Sequence, residues 1–372
     1  MRIEPAVPAD AVAAIRAPLA AAGAAPIDAP LVQPLGLTLD LAGEAMRARL
    51  FVVQAEGGAE ACLRPDFTVA VARRHIESGA AAGRYIYQGP AFRASLDGRQ
   101  PEEFLQLGLE HFAAAADPVA ADVEAVTLAW RAAEAGGRRD LTLCLGDVGL
   151  FAAFIQSLSL APALAARLAR IAGRPRLLQA ELARAGAEVA PAEASPLAAM
   201  LAGLPEDKAG DLLVEMWALA GVEPVGGRGA AEIAARLVRK AEAREAPTLT
   251  QGQADAVREF MAISAAPAAG LIRVRELAGR SAPALDAALR AWEARLAQLP
   301  AADIQFAPAL GHAFDYYDGL TFEIRSATLG ADRPVAVGGR YDGLLARLGG
   351  PADGRAVGCM VRPWRAFAGG EA

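Results

Sequence analysis

The chain reads Tyr85-Ile-Tyr-Gln88 and, after a polar, turn-rich loop, Phe104-Leu-Gln-Leu-Gly-Leu-Glu-His-Phe112. Aromatic and aliphatic residues dominate both runs, and this composition is typical of β-strands. The intervening loop contains glycine, proline and several charged residues, which favour a turn over continued pairing. We therefore predict a long antiparallel hairpin across residues 85–112.

Strands and helices do not alternate regularly on either side of this hairpin. Further strand patterns lie at 51–55, 61–64, 141–145, 304–307, 320–324 and 335–337, and an extended stretch is predicted at 27–35. Helices are predicted at 10–25, interrupted by Pro18, at 66–78 and at 119–135, and helical periodicity covers most of 149–299. This order predicts an α+β fold around an antiparallel sheet rather than a doubly wound parallel sheet.

Composition limits the classes of function. The 372 residues are 54% apolar and 22% charged, which is typical of a globular protein with a sizeable core. The net charge of −6 argues against a nucleic-acid surface, which usually carries a basic face. The longest uncharged stretch, 148–166, contains glycine, glutamine, serine and proline, so we predict a buried helix there rather than a membrane span.

Cysteine usage and the first residues predict the location. Cys62, Cys144 and Cys359 lie far apart, with no paired-cysteine motif and no histidine at a metal-ligand spacing. This pattern indicates a reducing compartment and no structural metal. Charged residues interrupt the first 30 positions, so they do not form the apolar core of a signal peptide. We expect a cytoplasmic protein.

Four segments together resemble the catalytic core of histidyl-tRNA synthetase, a class II synthetase. They are 63–68 (Leu63-Arg-Pro-Asp-Phe-Thr68), 87–93 with 106–110, 314–323 (Phe314-Asp-Tyr-Tyr-Asp-Gly-Leu-Thr-Phe-Glu323) and 338–344 (Gly338-Gly-Arg-Tyr-Asp-Gly-Leu344). The resemblance implies one synthetase-like domain over 1–372, an antiparallel sheet flanked by helices, and a mostly helical insertion at about 149–299. It also implies that the family's anticodon-binding domain is missing.

The same resemblance assigns seven residues to a pocket for free histidine. They are Asp66, Thr68, Arg93, Gln106, Glu110, Tyr316 and Tyr317. An α-ammonium group needs carboxylate, hydroxyl or amide acceptors, and an imidazole needs a partner for each ring nitrogen. Asp66 stands where the family usually has the longer glutamate. Taken alone, an acid on a strand is more often part of a solvated face or an ion pair, and paired tyrosines more often pack at a sheet edge.

The resemblance assigns a role to six of these side chains and none to Tyr316. Asp66, Thr68 and Gln106 would bind the α-ammonium group, and Arg93 would face the carboxylate of the ligand. Glu110 and Tyr317 would bind the imidazole. No cofactor, metal or catalytic residue is implied.

The residues that differ from the family pattern stand at positions that bind ATP in that family. Ser95 replaces the acid that recognises adenine, and the loop at 96–103 carries three acids against one arginine. His312 replaces an arginine that stabilises charge on the α-phosphate, and a neutral imidazole does this less well. Arg362 replaces a glycine that leaves room for adenine, although Arg93 and Arg365 are kept.

With these departures, the chain resembles the synthetase-like regulatory subunits of ATP phosphoribosyltransferase. That resemblance implies a chain without chemistry of its own, which activates the short-form catalytic subunit and mediates feedback inhibition by L-histidine. It further implies a homodimer within a hetero-octamer. Two alternatives stay open: a ligase that activates histidine for an acceptor other than tRNA, and a scaffold whose pocket is vestigial.

Overall fold

The computed structural model describes residues 1–54, 56–112, 117–172, 175–186, 200–201, 204–219, 230, 233–234, 248–280, 282–300, 303–311 and 316–370. They form two compact units, one made of 1–158 with 258–372 and the other of 159–257. The second unit lies inside the stretch for which the sequence predicts helices. The single-domain interpretation stays a prediction.

Eleven described strands build two sheets in the first unit. They are β1 (Ala25–Pro26), β2 (Val32–Pro34), β3 (Val52–Gln54), β4 (Glu60–Leu63), β5 (Gly83–Phe92), β6 (Glu103–Phe112), β7 (Leu141–Asp147), β8 (Asp303–Phe306), β9 (Leu320–Ser326), β10 (Ala336–Arg340) and β11 (Ala356–Val361). The large sheet has the order β1-β5-β6-β11-β10-β9-β7-β8, and the small one β2-β4-β3. Only the β1–β5 and β7–β8 pairs are parallel. The α+β prediction is confirmed.

The two units together contain thirteen described α-helices. They are α1 (Ala9–Ala20), α2 (Leu35–Ala42), α3 (Thr68–Glu77), α4 (Pro118–Ala135), α5 (Val148–Ser157), α6 (Pro162–Ile171), α7 (Pro175–Ala183), α8 (Glu206–Leu219), α9 (Gln251–Met261), α10 (Pro267–Leu277), α11 (Pro283–Leu296), α12 (Asp342–Arg347) and α13 (Pro363–Ala366). None of them is long and apolar enough to cross a membrane, and the uncharged stretch 148–166 is divided between α5 and α6.

The long hairpin is confirmed, and its pleat separates the two faces of the sheet. β5 and β6 pair over their full lengths, with Tyr85 opposite Glu110. Successive side chains of a strand point to opposite faces. His111 and Arg84 therefore approach Glu124 on α4, with the His111 imidazole 4.0 Å from its carboxylate. Glu110 points to the other face, where α2, α3 and several aromatic rings form a buried cluster.

Three predictions differ from the structure. The first helix ends at Ala20 rather than at residue 25 and contains Pro18. The stretch predicted as extended through Leu35 is helical from that residue onward. β11 was not predicted, although it lies near the middle of the large sheet, because its run Ala356-Val-Gly-Cys-Met-Val361 lacks the period of two that marks a half-buried strand.

A buried charge cluster joins α4 to the sheet and to α11. Asp122 on α4 is fully buried, and its carboxylate accepts hydrogen bonds from Arg295 on α11 and Arg340 on β10, each at 2.8 Å. Nearby, the Trp292 indole donates to Asp147 at 2.8 Å. Arg340 also pairs with Asp342 at 2.9 Å, so two acids balance the two guanidinium groups of this cluster.

We expect Asp122→Ala to lower the free energy of unfolding by roughly 3–5 kcal/mol, because it removes the fully buried acid that Arg295 and Arg340 share and leaves Arg340 with Asp342 alone. Urea unfolding followed by circular dichroism measures the loss. Asp211→Ala is the matched control: this acid is 73% exposed and pairs with an exposed lysine, so its removal should cost less than about 1 kcal/mol. Equal effects of the two substitutions would contradict the role assigned to the cluster.

Candidate functional site

All seven residues assigned to the pocket line one cavity of about 290 Å³. Gln106 and Glu110 come from β6, Arg93 directly follows β5, and the other four flank or begin elements on the same face of the sheet. Because Gln106 and Glu110 are four residues apart on one strand, both side chains point to that face. The structure therefore brings together residues that lie up to 251 positions apart in the sequence.

Glu110 is the most deeply buried acid of the cavity, at 1% exposure. Three hydroxyl groups donate to its carboxylate: Thr68 at 2.7 Å, Tyr87 at 3.4 Å, and Tyr341. Burial raises the pKa of Glu110 to about 8, although hydrogen bonds from Tyr341 and Thr68 oppose that shift. Glu110 is thus a carboxyl group that titrates near neutral pH inside a fixed frame of hydroxyls.

Glycine makes the space for this carboxylate. Gly358 on β11 lies directly opposite Glu110, and a Cβ atom at that position would overlap the Glu110 Oε2 atom. A Cβ atom at Gly108 on β6 would likewise overlap the Tyr87 hydroxyl, so this glycine leaves room for the tyrosine. The glycines of β6 and β11 are therefore required by the close approach of polar side chains to the sheet.

Asp66 and Arg93 add two further charged groups to the lining of the cavity. Burial raises the pKa of Asp66, while the nearby Arg93 charge and the Tyr316 hydroxyl, 3.2 Å from Oδ2, oppose the shift. The Arg93 Nε–H donates to the carbonyl of Pro65 at 2.8 Å, which fixes the guanidinium. A positive group that entered the cavity would stabilise the charged form of Asp66.

Gln106 and Tyr317 complete the assigned set. Gln106 is 1% exposed, and its Oε1 atom has no hydrogen-bond partner within the part of the chain that the structure describes. A buried amide oxygen without a donor is costly, so this atom marks a position for a donor from a ligand. Burial raises the pKa of the Tyr317 hydroxyl, and the adjacent Glu110 adds to that shift, so it stays protonated.

Sequence reasoning missed several residues of the cavity. Tyr341 belongs to the quoted segment 338–344 but received no role, although its hydroxyl donates to Glu110. Glu323 also lines the cavity and ends the quoted segment 314–323, whereas Arg49 and Cys359 lie outside every quoted segment. Tyr87, the first residue of the quoted segment 87–93, received no role either, although its hydroxyl donates to Glu110.

Two of the three residues that depart from the synthetase pattern, Ser95 and Arg362, line the same cavity, and so does the retained Arg365. The third, His312, lies outside the described residues. The Arg365 guanidinium donates to the carbonyl of Pro334 at 3.0 Å, and burial lowers its pKa to about 10. The arginines give this end of the cavity a positive charge, opposite in sign to Asp66.

The charged and polar groups of the cavity are of the kinds that pair with the two ends of a small zwitterion. Two buried acids, one orphaned amide oxygen and a fixed guanidinium surround the space, and these groups complement an ammonium and a carboxylate. Across the described ranges, no cluster of three histidine, cysteine or acidic side chains has a geometry suited to a metal ion. The three cysteines are buried and free.

Glu110→Gln should change how stability depends on pH. The pKa of Glu110 rises from 4.5 to about 8 on folding, so the folded chain holds this proton more tightly between those values. Its stabilising contribution is complete below pH 4.5 and is lost as the pH rises to about 8. We expect the native chain to lose a few kcal/mol relative to Glu110→Gln over this window, since each pKa unit corresponds to about 1.4 kcal/mol.

Urea unfolding of both chains at about pH 5 and about pH 8.5 measures this difference. Glu60→Gln, at an exposed position on β4, is the control, and its offset from the native chain should not change with pH. A constant offset for Glu110→Gln as well would show that Glu110 does not carry the raised pKa.

Comparison with known proteins identifies the family. The family model for histidyl-tRNA synthetase matches residues 8–213 and 218–363. The ATP phosphoribosyltransferase regulatory subunit of Brucella canis is 36% identical over 344 residues, 90% of each chain, and that of Brucella anthropi is 34% identical over 347 residues.

Solved structures show the same fold. An ATP phosphoribosyltransferase regulatory subunit/histidyl-tRNA synthetase from Bacillus halodurans superposes with a TM-score of 0.64 at 19% identity, covering 98% of this chain and 79% of that one. A histidine–tRNA ligase subunit from Alicyclobacillus acidocaldarius gives 0.56 at 21% identity, covering 98% and 95%. With these matches and a fold of the histidyl-tRNA synthetase type, the chain belongs to the family of ATP phosphoribosyltransferase regulatory subunits.

Proposed function

We propose that this chain is a non-catalytic regulatory subunit that binds L-histidine and controls the short-form catalytic subunit of ATP phosphoribosyltransferase. The observation that carries the proposal is the convergence of Asp66, Gln106, Glu110 and Arg93 on one small cavity. The family membership supplies the partner, since its relatives are regulatory subunits by name. A homodimer within a hetero-octamer, in the cytoplasm and without a cofactor, completes the proposal.

Histidine matches the polar groups of the cavity one by one. Its ammonium group would bind Asp66 and give the Gln106 Oε1 atom the donor it lacks, with Thr68 as a further acceptor. Its carboxylate would pair with the Arg93 guanidinium, which is held by the Pro65 carbonyl. The orientation of the ligand is thereby set by charge at one end of the cavity.

The other end of the cavity supplies the specificity for imidazole. One ring nitrogen would donate to Glu110, and the other would meet the Tyr317 hydroxyl. Because burial raises the pKa of Glu110 to about 8, its carboxyl is poised to exchange a proton with a bound imidazole near neutral pH. An apolar side chain in the same place would leave these groups without partners.

The proposal that the chain does not activate an amino acid with ATP rests on Ser95 and on the acidic loop between β5 and β6. Ser95 has no charge with which to recognise an amino-purine, and its hydroxyl donates to Asp97 at 2.9 Å instead. Acidic residues of the loop between β5 and β6 disfavour a triphosphate in its neighbourhood. The ligase alternative keeps Arg93 and Arg365 in its favour, and ATP–pyrophosphate exchange dependent on histidine would establish it.

Regulation requires a coupling free energy between the cavity and the active site of the partner. Such couplings are typically about 1–3 kcal/mol and are reciprocal for binding. Substrates of the catalytic subunit and histidine should therefore weaken each other's binding when both subunits are present. The chain alone should bind histidine without any partner.

Isothermal titration of the purified chain with L-histidine tests the binding site, and we expect saturable binding to the native chain. Glu110→Ala should abolish that binding and also the inhibition by histidine in the reconstituted complex, while activation of the catalytic subunit persists. Glu60→Ala, on an exposed strand position, should leave both unchanged. Full inhibition by histidine in the Glu110→Ala complex would refute the assignment of the pocket.

A further inference from the structure

Arg49 lines the same cavity as Arg93, although no motif of the sequence assigns it a role. It is the last residue of a short 3-10 helix, Glu44–Arg49, which precedes β3. The Ala94 amide donates to the Arg49 carbonyl at 2.9 Å, and Ala94 directly follows Arg93 in the chain. This backbone bond holds the two arginine residues on neighbouring stretches of the chain.

The Arg49 guanidinium has an unused hydrogen-bond donor. Among the described residues, its buried Nε atom has no acceptor, and the structure records no ion pair for its side chain. Arg362 also has an unpartnered Nε atom at this cavity, but its charge is already paired with Glu4. A buried donor without an acceptor is costly, so the Arg49 Nε atom marks a position for an acceptor from a ligand.

The proximity of Arg49 to Arg93 favours an anion that contacts both. Burial lowers the pKa of Arg93, the Asp66 charge opposes that shift, and the Arg49 charge lowers the pKa further. Like charges repel more strongly in a cavity that holds little water, and a shared anion removes this repulsion. Asp66 is one such anion, but the proposed function assigns it to the ammonium group of the ligand.

We propose that Arg49 is a second guanidinium for the carboxylate of the bound amino acid, so that the site selects a free α-carboxylate over an alcohol, an ester or an amide. Hydrogen bonds between a guanidinium and a carboxylate are strong because both partners are charged. A ligand that lacks the carboxylate leaves the two guanidinium groups facing each other without that anion. This inference deepens the proposed function and rests on it for the identity of the ligand.

A phosphate group is the other anion that two arginines recognise well. The structure favours the carboxylate of a small ligand instead. The cavity of about 290 Å³ also contains Asp66 and Glu110, whose charged forms would repel the oxygens of a phosphate. The same acids attract the ammonium group of a zwitterion.

L-Histidinol separates the contribution of the carboxylate, because a CH₂OH group replaces it and the rest of the molecule is unchanged. Calorimetric titration of the native chain and of Arg49→Gln with L-histidine and with L-histidinol forms a double-mutant cycle. We expect Arg49→Gln to weaken the binding of L-histidine at least about tenfold and that of L-histidinol less than about twofold. General damage to the cavity would instead weaken both ligands alike.

Arg47→Gln is the matched control, since it removes an exposed arginine from the same 3-10 helix, and it should bind both ligands like the native chain. Arg49→Lys provides a second route should Arg49→Gln fail to fold. Lysine keeps the charge but lacks the planar fork, so it should still weaken L-histidine several-fold without weakening L-histidinol. Circular dichroism and thermal unfolding check that each variant is folded.

The outcomes separate this inference from the proposed function. Binding of L-histidine to the native chain, with a loss in the variants that is confined to L-histidine, supports both. Binding of L-histidine with equal losses for the two ligands, or with no loss in the folded variants, overturns the role of Arg49 and leaves the proposed function standing. No binding of L-histidine to the native chain overturns both.

Titration with inorganic pyrophosphate tests the other anion. We expect Arg49→Gln to change the affinity for L-histidine and the native chain to bind pyrophosphate weakly or not at all. Pyrophosphate binding that Arg49→Gln abolishes, together with an unchanged affinity for L-histidine, would assign Arg49 to a phosphate and overturn the inference.

Discussion

The burial of the Glu110 carboxylate near the middle of an eight-stranded sheet is the constraint on which the rest of the site depends. An isolated buried carboxylate is costly, so the fold must supply donors and space at that point. Thr68 at the start of α3 and Tyr341 just after β10 supply hydrogen bonds, and Gly358 on β11 supplies the space. The register between β6 and β11 is consequently fixed by chemistry as well as by the hydrophobic pattern.

The same burial prepares the cavity for a cationic ligand. Both Asp66 and Glu110 have raised pKa values because they are buried, with Arg93 as the nearest strong opposing charge on Asp66. An entering ammonium or imidazolium would lower these pKa values and release protons, so ligand binding and proton binding are linked. The Gln106 Oε1 atom, which has no hydrogen-bond donor among the described residues, also favours a ligand that carries N–H groups.

Elements with a clear local sequence pattern could be predicted, whereas features that depend on contacts between distant parts of the chain could not. The β5–β6 hairpin follows from two strand-like runs and a polar loop, and α4 follows from helical spacing at 119–135, where the structure adds Asp117 as its cap at 2.9 Å from the Val119 nitrogen. β11 was missed because a strand covered on both faces has no alternating signal. The seven pocket residues were found through the resemblance of four segments, whereas the Glu4–Arg362 pair joins positions 358 residues apart and no local pattern announces it.

A site of this kind selects its ligand through the cost of leaving buried groups unpaired. A cavity lined only by apolar side chains discriminates weakly between ligands of similar size, whereas a site built to bind a ligand N–H rejects an isostere that lacks it by a factor of roughly 10⁴ or more. In this chain the hydroxyls of Thr68, Tyr87 and Tyr341 already hold Glu110 in one place, so the carboxyl has little freedom to turn towards an alternative partner. Free phenylalanine bound in the cavity would desolvate Glu110 and Tyr317 further and would form no hydrogen bond with either side chain. The burial that makes the carboxyl costly in the folded chain, together with the hydrogen bonds that fix it, is therefore also the source of the selectivity for imidazole that we propose.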